Sequence, residues 1–412
     1  MLRRAKIIIA AYCIGGLILL VLGIGMVLQF THWFQHPEEF ADDHHHHGEE
    51  PEKPEASPAT TLTRDGGTFV SSPFLDRDFD VTDRSVDLRQ ILAGSLNPDK
   101  FPILEKLQFV SPDESPLGDQ DAVLGARING EEKAYPLRML NPHIALNDLC
   151  GGKEIAVVYD PLTITPKVFE RSVRQADGSA VVLTFANLGL IYNGGLLLYD
   201  KETESLWWPP EGRCLAGKLN GVRLNDYPFL FVSWKVWKER HPGTTILSLD
   251  TEFAVHYRQN PAEQYYMFEE LPLPVEGWQG RTSRLPWNAP AIALERNGRA
   301  KAYPLLVLDK VQGDIHDTFD GMKVVIHKDA PSYPTDERGG EVHYSFGLWF
   351  LWSVRYPGVE VYEPDSPKAP ATSEDNSSVS VGKGCWNFAQ EWCDRPATSI
   401  SPPSKPPGSV RV

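Results

Sequence analysis

The chain repeats itself, and the two copies are unequal. Lys133-Ala134-Tyr135-Pro136-Leu137 recurs as Lys301-Ala302-Tyr303-Pro304-Leu305, and an Asn-Gly pair stands just before each, at Asn129-Gly130 and Asn297-Gly298. Asp148-x-x-x-Gly152 likewise returns as Asp317-x-x-x-Gly321, with offsets of 168 between the tyrosines and 169 between the aspartates. Further on, Trp234-x-x-Trp237-x-x-Arg240-His241-Pro242-Gly243 is answered by Trp349-x-x-Trp352-x-x-Arg355-Tyr356-Pro357-Gly358. Asn-Gly between apolar runs marks a tight hairpin, because both residues tolerate positive φ. Tryptophans three apart share a helix face, and Pro-Gly ends that helix before a strand. Each copy therefore predicts a hairpin, a short helix at Leu137–Leu146 in the first copy, a strand, and a later Trp-bearing helix whose stripe is core.

The copies differ in the middle. Only the first holds Phe185 to Trp208, where Leu188 to Tyr192 and Leu196 to Tyr199 flank Asn193-Gly194-Gly195, and a third run stops at Pro209-Pro210. Proline cannot donate to a strand ladder, so the third strand ends there. The second copy instead runs from Ala330 to Phe346 through proline, glycine and charge, which predicts no equivalent of those three strands. The fold class that follows is mainly β (α+β): antiparallel hairpins with short helices, in two unequal internal repeats. The Asn147 to Gly152 stretch reads as a turn, and Val86 to Leu92 as a short helix.

Ahead of the repeats lies an apolar run, Ile7 to Leu28, preceded by Arg3, Arg4 and Lys6. As a helix it spans about 33 Å at about 1.5 Å per residue, enough for a hydrocarbon core of about 30 Å. No small-residue cleavage site follows, so an uncleaved signal anchor is favoured over a signal peptide. Basic residues on the near side and Glu38, Glu39, Asp42 and Asp43 on the far side place the N-terminus in the cytoplasm and the body in the periplasm or outside the cell. The membrane is thus one partner; a small-molecule or protein partner is left open. The formal charge of −15, without a basic cluster, argues against nucleic acid.

The resulting layout is an anchor at 1–30, a His-, Pro- and Glu-rich tether at 31–67, a lead-in at 68–121, the first repeat at 122–250, a connector at 251–290, the second repeat at 291–363 and a Pro- and Ser-rich tail at 364–412. The tether's His44, His45, His46 and His47 are weak metal candidates, since a flexible tract binds divalent metals loosely and without selectivity. Cys150 with Cys214, or Cys385 with Cys393, can bridge in an oxidising compartment or remain reduced thiols; spacing leaves both open.

These residues resemble a known family, the domain of unknown function numbered 3179, over about 101–249, with a shortened copy at about 291–362. Ala134-Tyr135-Pro136-Leu137-Arg138, Asn141-x-His143-x-x-x-Asn147-Asp148, Gly151-Gly152 and Tyr159-x-Pro161-Leu162-Thr163 carry the resemblance. Its most specific part is Gly189-x-x-Tyr192-Asn193-x-x-Leu196-x-x-Tyr199-Asp200-x-x-Thr203-x-Ser205-Leu206-Trp207. The resemblance implies an architecture, not a reaction. Where the family reads Tyr-Cys-Pro-Leu, this chain has Tyr159-Asp160-Pro161-Leu162, so thiol chemistry is lost at that place; Asp329 stands at the matching offset in the second copy.

The candidate pocket is His143, Asp148, Asp160, Tyr192, Asn193 and Asp200. A histidine and two carboxylates can ligate a divalent metal or serve as base and acid. Against this, the second copy keeps Asp317 and Asp329 but has Gln312 in place of the histidine, which favours a structural role for the carboxylates. No G-x-S-x-G, H-E-x-x-H or phosphate-cradling loop occurs. The sequence leads to a membrane-anchored ligand-binding or scaffold module. The alternative is a metal-dependent, hydrolase-like enzyme using His143, Asp148 and Asp160, and whether the chain is an enzyme stays open.

Overall fold

Asn129 and Asn297 take φ of 48° and 49°, and each turns a hairpin on which a sheet is built. The computed structural model describes residues 57–364 except 95–96, 98–99, 176, 258–259, 281–282 and 330. These belong to one of two compact units, Lys53–Val412. The Ile7–Leu28 helix, the His44–His47 run and the Cys385–Cys393 loop expected from the sequence lie outside the described residues.

The first run of elements is Phe109–Val110 (β1), Ala122–Ile128 (β2), Glu131–Pro136 (β3), helix Leu137–His143 (α1), Ala145–Cys150 (β4), Lys153–Asp160 (β5) and Thr165–Glu170 (β6). Phe185–Tyr192 (β7), Gly195–Asp200 (β8), Leu206–Trp208 (β9) and Arg213–Ala216 (β10) follow, then Leu230–Ser233 (β11), helix Trp234–Arg240 (α2) and Thr245–Leu247 (β12). The last run is Pro290–Arg296 (β13), Arg299–Pro304 (β14), helix Leu305–Leu308 (α3), Ile315–Phe319 (β15), Met322–His327 (β16), Tyr333–Asp336 (β17), Ser345–Leu348 (β18), helix Trp349–Arg355 (α4) and Glu360–Val361 (β19).

The molecule is mainly β, with antiparallel sheets and a few short helices. One sheet has the order β11-β2-β3-β12-β1 and another β18-β13-β14-β19, and in each the hairpin's second strand pairs in parallel with the strand after the Trp helix. Three-stranded sheets β6-β5-β4 and β15-β16-β17 accompany them. They cross over: β6 lies against β18, and β17 against β11. Phe185 to Trp208 forms the centre of a further sheet, β10-β9-β8-β7, completed by Ile91–Ala93.

Apolar residues of all these elements merge into one continuous cluster. The tryptophans of both helices are core, as their spacing predicts, at 1% exposure for Trp234 and Trp237 and 3% for Trp349 and Trp352. Gly125 on β2 makes room for one of them, since a Cβ there would overlap the Trp237 ring.

Several local expectations change. Helix α1 stops at His143 and not at Leu146, because Ile144 takes φ 65° and the chain enters a new strand at Ala145. Asn147 to Cys150 is therefore strand, and only Gly151-Gly152 turns. Asn147 holds the insert: its side chain accepts from Phe185 N and donates to Phe185 O, both at 2.9 Å. Val86 to Leu92 yields one 3-10 turn, Leu88–Gln90, before chain that joins the insert's sheet. Between Pro331 and Phe346, where no equivalent of the insert's three strands is expected, a single strand of the β15-β16-β17 sheet forms at Tyr333–Asp336 before β18 begins at Ser345. Cys150 and Cys214 are buried free thiols.

Candidate functional site

The residues singled out from the sequence separate into four places. Asp148 Oδ2 accepts from Lys133 Nζ at 3.1 Å and Tyr135 OH at 2.7 Å. The same trio recurs as Lys301, Tyr303 and Asp317. Burial works against Asp317 ionising, yet bonds from Lys301 and Tyr303 hold its carboxyl below the ordinary value. Asp200 closes a turn, accepting from Thr203 N at 2.6 Å, Thr203 Oγ1 at 2.9 Å and Trp207 Nε1 at 2.8 Å.

Asp160, Tyr192 and Asn193 do come together, around the turn between β7 and β8. Asp160 is wholly buried, accepting from Leu162 N at 2.9 Å and Leu196 N at 3.0 Å. Burial pushes its carboxyl up to about 6, and those bonds restrain the rise. A Cβ on Gly195 would lie 2.7 Å from Asp160 Oδ2 and 3.0 Å from Trp208 Nε1, so glycine alone lets the carboxylate reach this turn. Tyr192 meets Trp208 edge-on at 5.5 Å, and Asn193 Oδ1 accepts from Glu276 N at 3.0 Å.

His143, at the end of α1, is 3% exposed. Its Nδ1 lies 2.9 Å from Pro102 O and its Nε2 3.1 Å from Tyr257 OH. A carbonyl only accepts, so Nδ1 carries the proton and Nε2 accepts from the tyrosine. Rings of Phe101, Phe253 and Tyr257 enclose it at 5.3 to 5.8 Å. Burial lowers its pKa to about 4, so the imidazole is neutral at physiological pH. No hydrogen bond or ion pair joins any two of His143, Asp148 and Asp160. Among the described residues no group of three His, Cys, Asp or Glu side chains is placed to hold a metal ion.

What does open beside His143 is a groove of about 570 Å³. Pro102–Gln108 forms one wall, Ser248 and Asp250–Phe253 the other, with buried Met139 and Leu247 at the base. The sheet explains it. β1 is the edge strand, paired to β12 through Phe109↔Leu247 and Val110↔Ile246, and Ser248 N→Gln108 O at 2.8 Å is the last bond between the chains. Beyond it, Asp250 N turns back to Ser248 Oγ and Thr251 N to Leu249 O, while the other segment continues away from the ladder with a bend at Glu105. Among the described residues, the main-chain groups of Ile103 to Leu107 make no hydrogen bond. Glu105, Asp250 and Glu252 against Lys106 leave the rim acidic.

A second opening, of about 430 Å³, is lined by Arg127, Arg240, His241 and Gly339 to Glu341. His241 bridges the two runs of the fold, with Nδ1 2.9 Å from Glu132 Oε1 and Nε2 3.5 Å from Glu341 Oε1. It stacks on Trp237 at 3.8 Å. Neither the groove nor this bridge was predicted. The lead-in segment carries no alternation, and His241 was read only as part of a helix stop.

Fold and site together define a mainly β protein with an open groove at the edge of its first sheet. Residues 98–363 match the family model described as a protein of unknown function, DUF3179, and this match spans more than half of the chain. The chain belongs to that family. Among curated proteins and among solved structures, none matches it.

Proposed function

We propose that the protein is a membrane-anchored binding module whose body lies outside the cytoplasm and whose ligand occupies the groove between Pro102–Gln108 and Ser248–Phe253. In this reading Ile7–Leu28 anchors the chain, residues 31–67 tether it, and two unequal repeats, 122–250 and 291–363, make up the body. The like strand orders of the two sheets support a duplication. The observation that carries the binding reading is the groove itself. The polar residues of the family signature are occupied by partners within the fold, whereas the groove keeps a concave apolar base, a charged rim and unoccupied main-chain groups. The hydrolase-like alternative needed His143, Asp148 and Asp160 to converge, and their separate partners remove its support.

Native mass spectrometry of the full-length chain extracted from membranes tests the reading. Bound mass on the wild type that is lost in Leu104→Arg, with the melting temperature kept within a few degrees, is the expected result. No bound mass, or mass retained equally by both, contradicts it.

A further inference from the structure

From the main chain bordering the groove, and resting on the reading of that groove as the ligand site, we infer that the ligand is an extended, basic stretch of polypeptide that adds to the first sheet along Ile103–Leu107. This segment is held at both ends and open between them. At one end the Pro102 carbonyl is fixed by His143 Nδ1, and at the other β1 is fixed by its ladder to β12. A segment pinned at each end is restrained, so a second strand pairing with it loses less freedom to ordering the receptor.

Side-chain alternation then sets the chemistry of the guest. Every second residue of a strand faces the same side. One set of the guest's side chains turns toward Met139 and Leu247 at the base, which suits apolar residues. The other set turns toward the rim, where Glu105, Asp250 and Glu252 outnumber Lys106. Lysine or arginine at alternate positions complements that rim and acidic residues are repelled. Val255 on the adjoining 3-10 turn, 78% exposed, extends the apolar surface beyond the groove.

Fluorescence anisotropy on the purified full-length chain tests this with three capped seven-residue probes: alternating leucine and lysine, alternating leucine and glutamate, and the lysine peptide N-methylated at alternate main-chain nitrogens. The lysine peptide is expected to bind, and each of the other two at least tenfold more weakly, because one has the wrong charge and the other cannot form the ladder. Glu105→Pro, which removes a main-chain donor, and Glu252→Lys, a surface change that leaves the backbone intact, should each weaken the lysine peptide about tenfold. Equal binding of the N-methylated or the acidic peptide overturns the inference. So does self-association that Glu105→Pro abolishes, which would give the edge to a second copy of the chain. If no peptide binds while Leu104→Arg still releases a non-peptide mass from the native protein, the inference fails and the groove reading stands. If neither is seen, both fail.

Discussion

His143 and Tyr257 form the joint between the two walls of the groove: Nε2 of the histidine accepts from the tyrosine hydroxyl at 3.1 Å while its Nδ1–H holds the Pro102 carbonyl at 2.9 Å. Thr251 Oγ1 extends the chain by contacting Tyr257 OH at 2.6 Å. Pro102 lies on one wall and Thr251 on the other. His143→Phe keeps the ring's bulk and deletes both bonds. Amide exchange in 100–107 and 250–257 should rise together in that variant, and a rise confined to one segment would contradict the joint.

The same histidine makes stability depend on pH. Its folded pKa of about 4 lies below the ordinary value of 6.5, so between those values the unfolded chain binds a proton that the folded chain refuses. Stability therefore rises with pH across this window and falls as acid is added, by roughly 3 kcal/mol at full extent. In urea unfolding, the stability difference between wild type and His143→Phe should shift against the wild type as pH is lowered from 7 to 4.5, and a constant difference would contradict this role.

Asp160 has the opposite sign. Its folded pKa of about 6 exceeds the ordinary value of 3.8, so the folded chain binds the extra proton, and this group's contribution declines as pH rises from about 4 to about 6. The full extent is again roughly 3 kcal/mol. Asp160→Asn removes that dependence but cannot accept equally from Leu162 N and Leu196 N. The stability difference between wild type and variant should shift in favour of the wild type as pH is lowered from 6.5 to 4.5. A constant difference would show that Asp160 does not titrate there.

The trios of Asp148 and Asp317 predict parallel behaviour. Asp148→Asn and Asp317→Asn each weaken a part-buried pair to lysine, and each should lose about 3 kcal/mol in chemical unfolding. A loss of ligand binding in Asp148→Asn at unchanged stability would instead return Asp148 to the site.

Gly125→Ala should be severe for its size, because the new methyl group would overlap the buried Trp237 ring. A loss of about 1 to 3 kcal/mol follows from overpacking. Thermal unfolding reads it, and Gly130→Ala, with open space around a Cβ but φ of 86°, separates the packing effect from backbone strain.

Legibility in the sequence followed the range of the cause. Asn129-Gly130, Asn297-Gly298 and the Trp234 helix are governed by neighbours a few positions away, and their hairpins and core face were readable. The end of α1 was not, because Ile144 takes a left-handed backbone that rules based on glycine and asparagine do not expect at a β-branched residue. Asp160, Tyr192 and Asn193 lie around the turn between β7 and β8, which carries two of them. His143 was separated from them by partners at Pro102 and Tyr257, the latter 114 residues away. The groove itself exists because 102–108 runs beside 247–248, a pairing no local pattern records.

Hydrogen exchange at the five amides of Ile103 to Leu107 tests the central claim most directly, using the full-length chain with and without the leucine–lysine peptide. Free chain should exchange these amides quickly, as unpaired main chain does, and the peptide should slow at least tenfold the alternate ones that face it while leaving β13 and β14 unchanged. Amides already protected in the free chain, or equally fast with the peptide bound, would contradict a groove that receives a strand.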